Sequence, residues 1–136
     1  MSQENVEIVS RFAEAWARGD WAAAAELADP EVEQHPTVGG VERGRVLRGV
    51  SEIRQDYDRV EETWDEHRIE AEKIIAAGDQ VVLFQREYQR GKSSGVELEI
   101  EAAVVIDLRA GRITRVQGYM DRAAALDAVG LGKQDA

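Results

Sequence analysis

The apolar positions along the chain change period several times, and each change marks an element. From Gln3 to Arg18 the residues Val6, Val9, Phe12, Ala13 and Trp16 recur at steps of three and four, which lines one face of a helix. Gly19 ends that helix, and Asp20 caps a short alanine-rich one, Trp21 to Ala28, closed by Pro30. Glu31 to His35 reads as a short strand stopped by Pro36 and Gly39-Gly40, with another around Arg45 to Arg48. Val50, Ile53, Tyr57, Val60 and Trp64 return to the three–four spacing and predict a third helix.

Beyond it the period becomes two. Arg68 to Ala77, Gln80 to Arg90, Val96 to Leu108 and Arg112 to Met120 read as strands, separated by Gly78-Asp79, by Gly91 to Gly95 and by Ala110-Gly111. Val96, Leu98, Ile100, Ala102, Val104 and Ile106 share one face, with Glu97, Glu99, Glu101 and Asp107 on the other. Similarly Val81, Leu83, Gln85 and Glu87 oppose Val82, Phe84, Arg86 and Tyr88, and the pattern leaves open which set faces inward. Short glycine turns make neighbouring strands antiparallel. A last helix, Asp121 to Val129, ends at Gly130. Helices followed by a meander give an α+β layout, expected as a single domain over residues 1–136.

Charge narrows the partners. The chain carries 17 Lys and Arg against 27 Asp and Glu, a formal net charge of −10. Phosphate backbones and anionic membrane surfaces repel such a protein, so neither nucleic acid nor membrane is an expected partner. Half of that charge lies between Glu52 and Lys73, which reads as a solvated helix face and strand edge. There is no cysteine, and Met1 to Ser10 shows no basic segment leading into an apolar run, so a soluble, cytoplasmic protein without a signal peptide is expected. Two histidines, His35 and His67, on different elements make no zinc signature, and no glycine-rich loop opens a helix to hold a phosphate. No metal and no cofactor are expected.

The order of elements and the residues that punctuate it resemble the nuclear transport factor 2 superfamily, in particular its SnoaL-like branch, related to ketosteroid isomerase, limonene epoxide hydrolase and polyketide cyclases. The matching pieces are Arg11-Phe12 through Arg18-Gly19-Asp20, Leu27-Ala28-Asp29-Pro30, His35-Pro36, Arg48-Gly49, Ala77-Gly78-Asp79, Asp107 to Ile113, and Gly118-Tyr119-Met120-Asp121-Arg122. The resemblance implies a cystatin-like cone, a curved, mixed but mainly antiparallel sheet wrapped on three helices, often paired through the sheet as a homodimer. It also implies an apolar pocket, which would be lined here by Phe12, Trp16, Tyr57, Val60, Leu83, Gln85, Ile100, Ala102, Val104, Gly118 and Met120.

The same resemblance allows chemistries to be tested. Ketosteroid isomerase donates hydrogen bonds from a tyrosine and a protonated aspartate to the dienolate oxygen. Phe12 and Val104 occupy those positions here and donate nothing. Since each such donor contributes about 2.7–4 kcal/mol to the transition state, that reaction is not expected. The general-base position, before Pro36, holds His35, whose imidazole suits proton transfer near neutral pH. The aspartate–arginine–aspartate set of limonene epoxide hydrolase survives only as Glu87, with Gln85 and Gly118 at the other two places. A Glu87 turned inward would titrate high and could act as acid or base beside His35. Tyr57 reads either as part of a hydrogen-bond network or as a core aromatic, and His67, at the start of a strand, reads as exposed and inert. Two functions follow: a protein holding a small apolar molecule without turnover, or a cofactor-free isomerase or cyclase with His35 as base. A purely structural dimer is a third.

Overall fold

The computed structural model describes residues 2–38 and 45–131. Its elements run α1 (Ser2–Arg18), α2 (Trp21–Leu27), β1 (Ala28–Val38), β2 (Leu47–Arg48), α3 (Gly49–Glu61), β3 (Trp64–Ala77), β4 (Gln80–Gly91), β5 (Glu97–Arg109), β6 (Arg112–Tyr119) and α4 (Arg122–Ala128). Asp20 caps α2 as expected, its carboxylate accepting from Ala23 N–H at 3.1 Å. The strands form one sheet in the order β2-β1-β6-β5-β4-β3, antiparallel throughout except where β1 runs parallel to β6.

Three boundaries differ from the sequence pattern. Strand β1 starts at Ala28 and continues through Pro30 and Pro36, because register shifts beside each proline relieve the ladder of a missing N–H. Gly39-Gly40, the expected stop, lies outside the described residues, as does much of the segment before Leu47. Helix α3 ends at Glu61, where the Thr63 N–H and hydroxyl both bond the Val60 carbonyl, so Trp64 opens β3 instead of closing the helix. Strand β3 thus begins four residues earlier than its alternation suggested.

The sheet has a core on each face. Val9 of α1 and Ile53 of α3 pack with Val32, Leu47, Val81, Ile106, Leu108 and Ile113 on the inner face. On the outer face Ala125 and Leu126 of α4 pack with Val82, Phe84, Ala103 and Val105. A fourth helix therefore backs the sheet, beyond the three expected inside it. The two cores leave no ambiguity about β4: Val81 belongs to the inner core and Val82 to the outer one, which turns Leu83, Gln85 and Glu87 inward and Arg86 outward.

Cross-strand register then writes the inner face as rows. Moving away from the core, Leu83 pairs with Val104 and Val104 with Gly118; Gln85 lies between Ala71 and Ala102; Glu87 lies between Ile69 and Ile100; Gln89 lies between His67 and Leu98. The outer rows alternate in charge, Glu70–Arg86–Glu101 and then Glu66–Arg90–Glu97. Arg86 bonds Glu99 at 2.9 Å and Glu72 at 3.3 Å, while Arg122 of α4 pairs with Glu72 and with Glu101 at 3.2 Å and sits 4.7 Å over the Phe84 ring. No described helix is long and apolar enough to cross a membrane.

Candidate functional site

At the far end of the inner face the helices supply rings rather than aliphatic side chains. Trp16 stacks with Phe12 at 5.7 Å between centroids and meets Trp21 edge-on at 4.6 Å and Tyr57 at 5.6 Å. Tyr57 continues the series to His67 at 6.1 Å, and His67 to Trp64 at 6.4 Å. The helical spacing of Phe12, Trp16 and Tyr57 aims these rings at the sheet, and the early start of β3 adds Trp64 and His67 from the other side. Trp16, Trp21, Tyr57 and Trp64 are all half-buried, so the ring cluster has an edge at the surface.

His67 is the titratable centre of this end. Its side chain is only 6 % exposed, Nδ1 bonds the Glu61 carboxylate at the end of α3, and Nε2 stands 3.7 Å from Glu87 Oε2. The Glu87 carboxylate raises its pKa most and Glu61 adds to the shift, both outweighing the burial that opposes the imidazolium. Glu87 is itself held in place by amide N–H groups of Gln85 at 2.8 Å and Gln89 at 3.2 Å. Burial, followed by the charge of Glu61, pushes the Tyr57 phenol up to about 12, so it stays protonated and can donate at any physiological pH.

His35 is elsewhere. Val32 packs in the inner core, and the register sets Gln34 beside Val116 and His35 beside Gln117, which in turn pairs with Val105 of the outer core. His35 therefore stands on the outer face, where its Nε2 bonds Glu33 at 2.8 Å and Glu33 also binds Arg48 at 2.6 Å. His35 holds the Glu33 carboxyl below the usual carboxylate range, with Arg48 assisting.

Two clefts among the described residues lie away from the space between the helices and the inner face. One of about 490 Å³ is lined by Glu4, Asn5, Asp79, Leu108, Arg109, Ala110 and Gly111, at the opposite end of the strands, and one of about 280 Å³ lies over the outer charged rows at Arg68, Glu70, Arg86, Tyr88 and Glu99. Neither cleft is the apolar pocket expected from the sequence. No group of three or more His, Asp or Glu among the described residues is arranged to hold a metal ion.

Residues 9–116 match the SnoaL-like domain family. The chain belongs to the SnoaL-like family. Solved structures agree on this SnoaL-like fold. An NTF2-like protein of Burkholderia thailandensis E264 is 26 % identical with a TM-score of 0.74, over 83 % of this chain and 87 % of that one. A Jannaschia sp. CCS1 protein assigned to the SnoaL-like polyketide cyclases is 19 % identical with a TM-score of 0.73, over 94 % and 92 %. TerC, crystallised with polyporic acid, is 19 % identical with a TM-score of 0.73, over 93 % and 98 %. No curated protein matches the chain.

Measured against this SnoaL-like scaffold, the sequence-derived site divides. Leu83, Gln85, Glu87, Ile100, Ala102, Val104 and Gly118 do share the inner face, and Phe12, Trp16 and Tyr57 reach it from the helices. Val60 is half-buried on α3, and Met120, just past β6, is 44 % exposed. His35 and Glu87 are not brought together, since they lie on opposite faces of the sheet; an inward Glu87 meets a different histidine. His67, expected to be exposed and inert, is that histidine, and Glu61 and Trp64 join it. The available signal was the alternation itself, because His67 continues the inward series of Ile69 and Ala71.

Proposed function

We propose that this SnoaL-like protein binds a small apolar molecule at the ring-lined end of its inner face, with Tyr57, His67 and Glu87 marking the polar limit of the site. The observation that carries this reading is the half-buried ring cluster converging on a buried imidazole. Leu98, 46 % exposed, stands in the same row as His67 and Gln89 and adds apolar surface beside them. Flat apolar ligands pack well on such rings, which favour offset and edge-on contacts at about 4.5–7 Å. The alternative in which His35 abstracts a proton loses its geometry, because His35 is on the outer face and bonded to Glu33.

Titration with 2-isopropenylnaphthalene, followed by the fluorescence of Trp16, Trp21 and Trp64, tests the reading. Saturable quenching at one molecule per chain is expected, weakened at least tenfold by Ile100→Lys, which sets a charge in the row of Glu87 and Ile69. Quenching that never saturates, or that Ile100→Lys leaves unchanged, overturns it.

A further inference from the structure

At the opposite end of the strands from the rings, the cleft of about 490 Å³ has the size of a small-molecule site, roughly 300–1,000 Å³. Three elements build it. The first turn of α1 supplies Glu4 and Asn5, the β3–β4 turn supplies Asp79, and the end of β5 supplies Arg109 and the turn Ala110-Gly111. Asn5 lies one helical turn before Val9, whose packing in the inner core turns that side of α1 toward the sheet. The two strand turns are tied together, since the Asp79 carbonyl accepts from the Leu108 N–H at 3.0 Å. Ala110 (φ 52°) and Gly111 (φ 79°) both take the left-handed backbone of a tight hairpin, which sets Arg109 opposite Arg112 at its base.

The polar groups of this cleft have no partners in the protein. Asn5 is 9 % exposed, yet its carboxamide, with two N–H donors and an acceptor oxygen, bonds no described residue. Buried amides are normally satisfied, so this one calls for a group that the chain does not supply. Around it stand the exposed side chains of Glu4, Asp79 and Arg109, and no ion pair joins them to one another or to any other described side chain. On the outer face, by contrast, Arg86, Arg90 and Arg122 each pair with at least two carboxylates.

The unpaired charges select the ligand. A simple anion meets two carboxylates and a simple cation meets a guanidinium, so neither uses the whole cleft. A molecule with one carboxylate and two cationic groups uses all of it. Glu4, Asp79 and Arg109 leave the cleft with one net negative charge, which a ligand of net charge +1 offsets. We propose that this cleft is a second binding site, separate from the ring cluster, for a free basic amino acid of the lysine class. Arg109 takes the carboxylate through its planar fork, Glu4 and Asp79 take the two ammonium groups, and the Asn5 carboxamide oxygen accepts from the α-ammonium. The site does not depend on the apolar-ligand reading above.

Calorimetric titration at low salt, where exposed charges are least screened, tests this with L-lysine, 1,5-diaminopentane and 6-aminohexanoate. The diamine lacks the carboxylate and the amino acid analogue lacks the α-ammonium. One lysine per chain is expected to bind, about fivefold or more tightly than either analogue, each of which loses one charge-assisted contact. The side-chain amide resonances of Asn5 should move on adding lysine. Arg109→Gln should bring lysine down to the affinity of 1,5-diaminopentane without weakening the diamine. Equal affinity for lysine and either analogue, Asn5 amide signals unmoved at saturating lysine, or an Arg109→Gln protein that keeps the advantage of lysine, overturns the proposal. Absence of saturable binding up to about 20 mM lysine overturns it as well. Should Arg109→Gln fail to fold, the three ligands and the Asn5 signals of the wild-type protein decide alone.

Discussion

The chain has two histidines, each beside acidic side chains, and the sheet between them gives them opposite fates. His35 stands on the outer face, 23 % exposed, bonded to a Glu33 that also holds the exposed Arg48. His67 stands on the inner face, 6 % exposed, between Glu61 and Glu87 and against the rings of Tyr57 and Trp64. The first group is complete, since each charge has its complement. The second is left short of hydrogen bonds at Trp64 Nε1 and His67 Nε2. Identical residue types thus make a surface ion pair on one face and a candidate recognition site on the other. Burial of the imidazole decides, because screening by water reduces the first interaction more than the second.

The sharpest way to break this contrast is to remove the buried imidazole. His67→Leu keeps the volume but leaves Glu61 and Glu87 facing each other with no cation between them. Removing one partner of a fully buried pair costs about 3–5 kcal/mol; with both carboxylates partly solvated we expect about 2 kcal/mol, a large share of a typical domain's stability. Urea unfolding measures it, and a loss under about 0.5 kcal/mol would show that the pair contributes no more than a surface contact.

Acid and base should separate the two groups further, with opposite signs. The pKa of His67 is raised in the folded protein, so its contribution is fully present below its unfolded value, about 6.5, and is lost as pH rises through the folded value. The pKa of Glu33 is lowered, so its contribution is present above the ordinary carboxylate value and is lost as pH falls through the folded one. The difference in urea midpoint between wild type and His67→Leu should therefore be larger at pH 6 than at pH 9.5. For Glu33→Gln it should shrink only toward pH 3. A His67 difference that does not change between pH 6 and 9.5 would remove the ion pairs as its cause.

How much of this was legible in the sequence follows from which signals are local. The three–four spacing of Val6, Val9, Phe12 and Trp16 and the alternation of Val96 to Ile106 are local, and α1 and β5 appear where they predict. The inward set of β4 was not local, because Val81, Leu83, Gln85 and Glu87 alternate as regularly as their neighbours. Only the packing of Val81 against α1 and α3, and of Val82 against α4, decides between them. His67 was hidden by a coincidence of spacing. Trp64 falls four residues after Val60 and extends the helical pattern, whereas Thr63 closes the helix on the Val60 carbonyl and hands Trp64 to the sheet. That shift carries His67 from the tip of a strand into its body. His35 misled in the opposite direction, since its place before Pro36 suggests a catalytic base while the alternation from Val32 turns its ring outward.

The smallest expected effect is consequently the most informative about His35. His35→Ala removes one bond to Glu33, but Arg48 remains on the same carboxylate at 2.6 Å, and a solvated carboxylate needs no second partner. Stability should change little, and affinity for 2-isopropenylnaphthalene should stay within about twofold, because the outer face shares no residue with the ring cluster. A loss of tenfold or more in that titration would mean that the outer group reaches the ligand through the sheet. It would also mean that β1, and not the rings of the helices, positions the site.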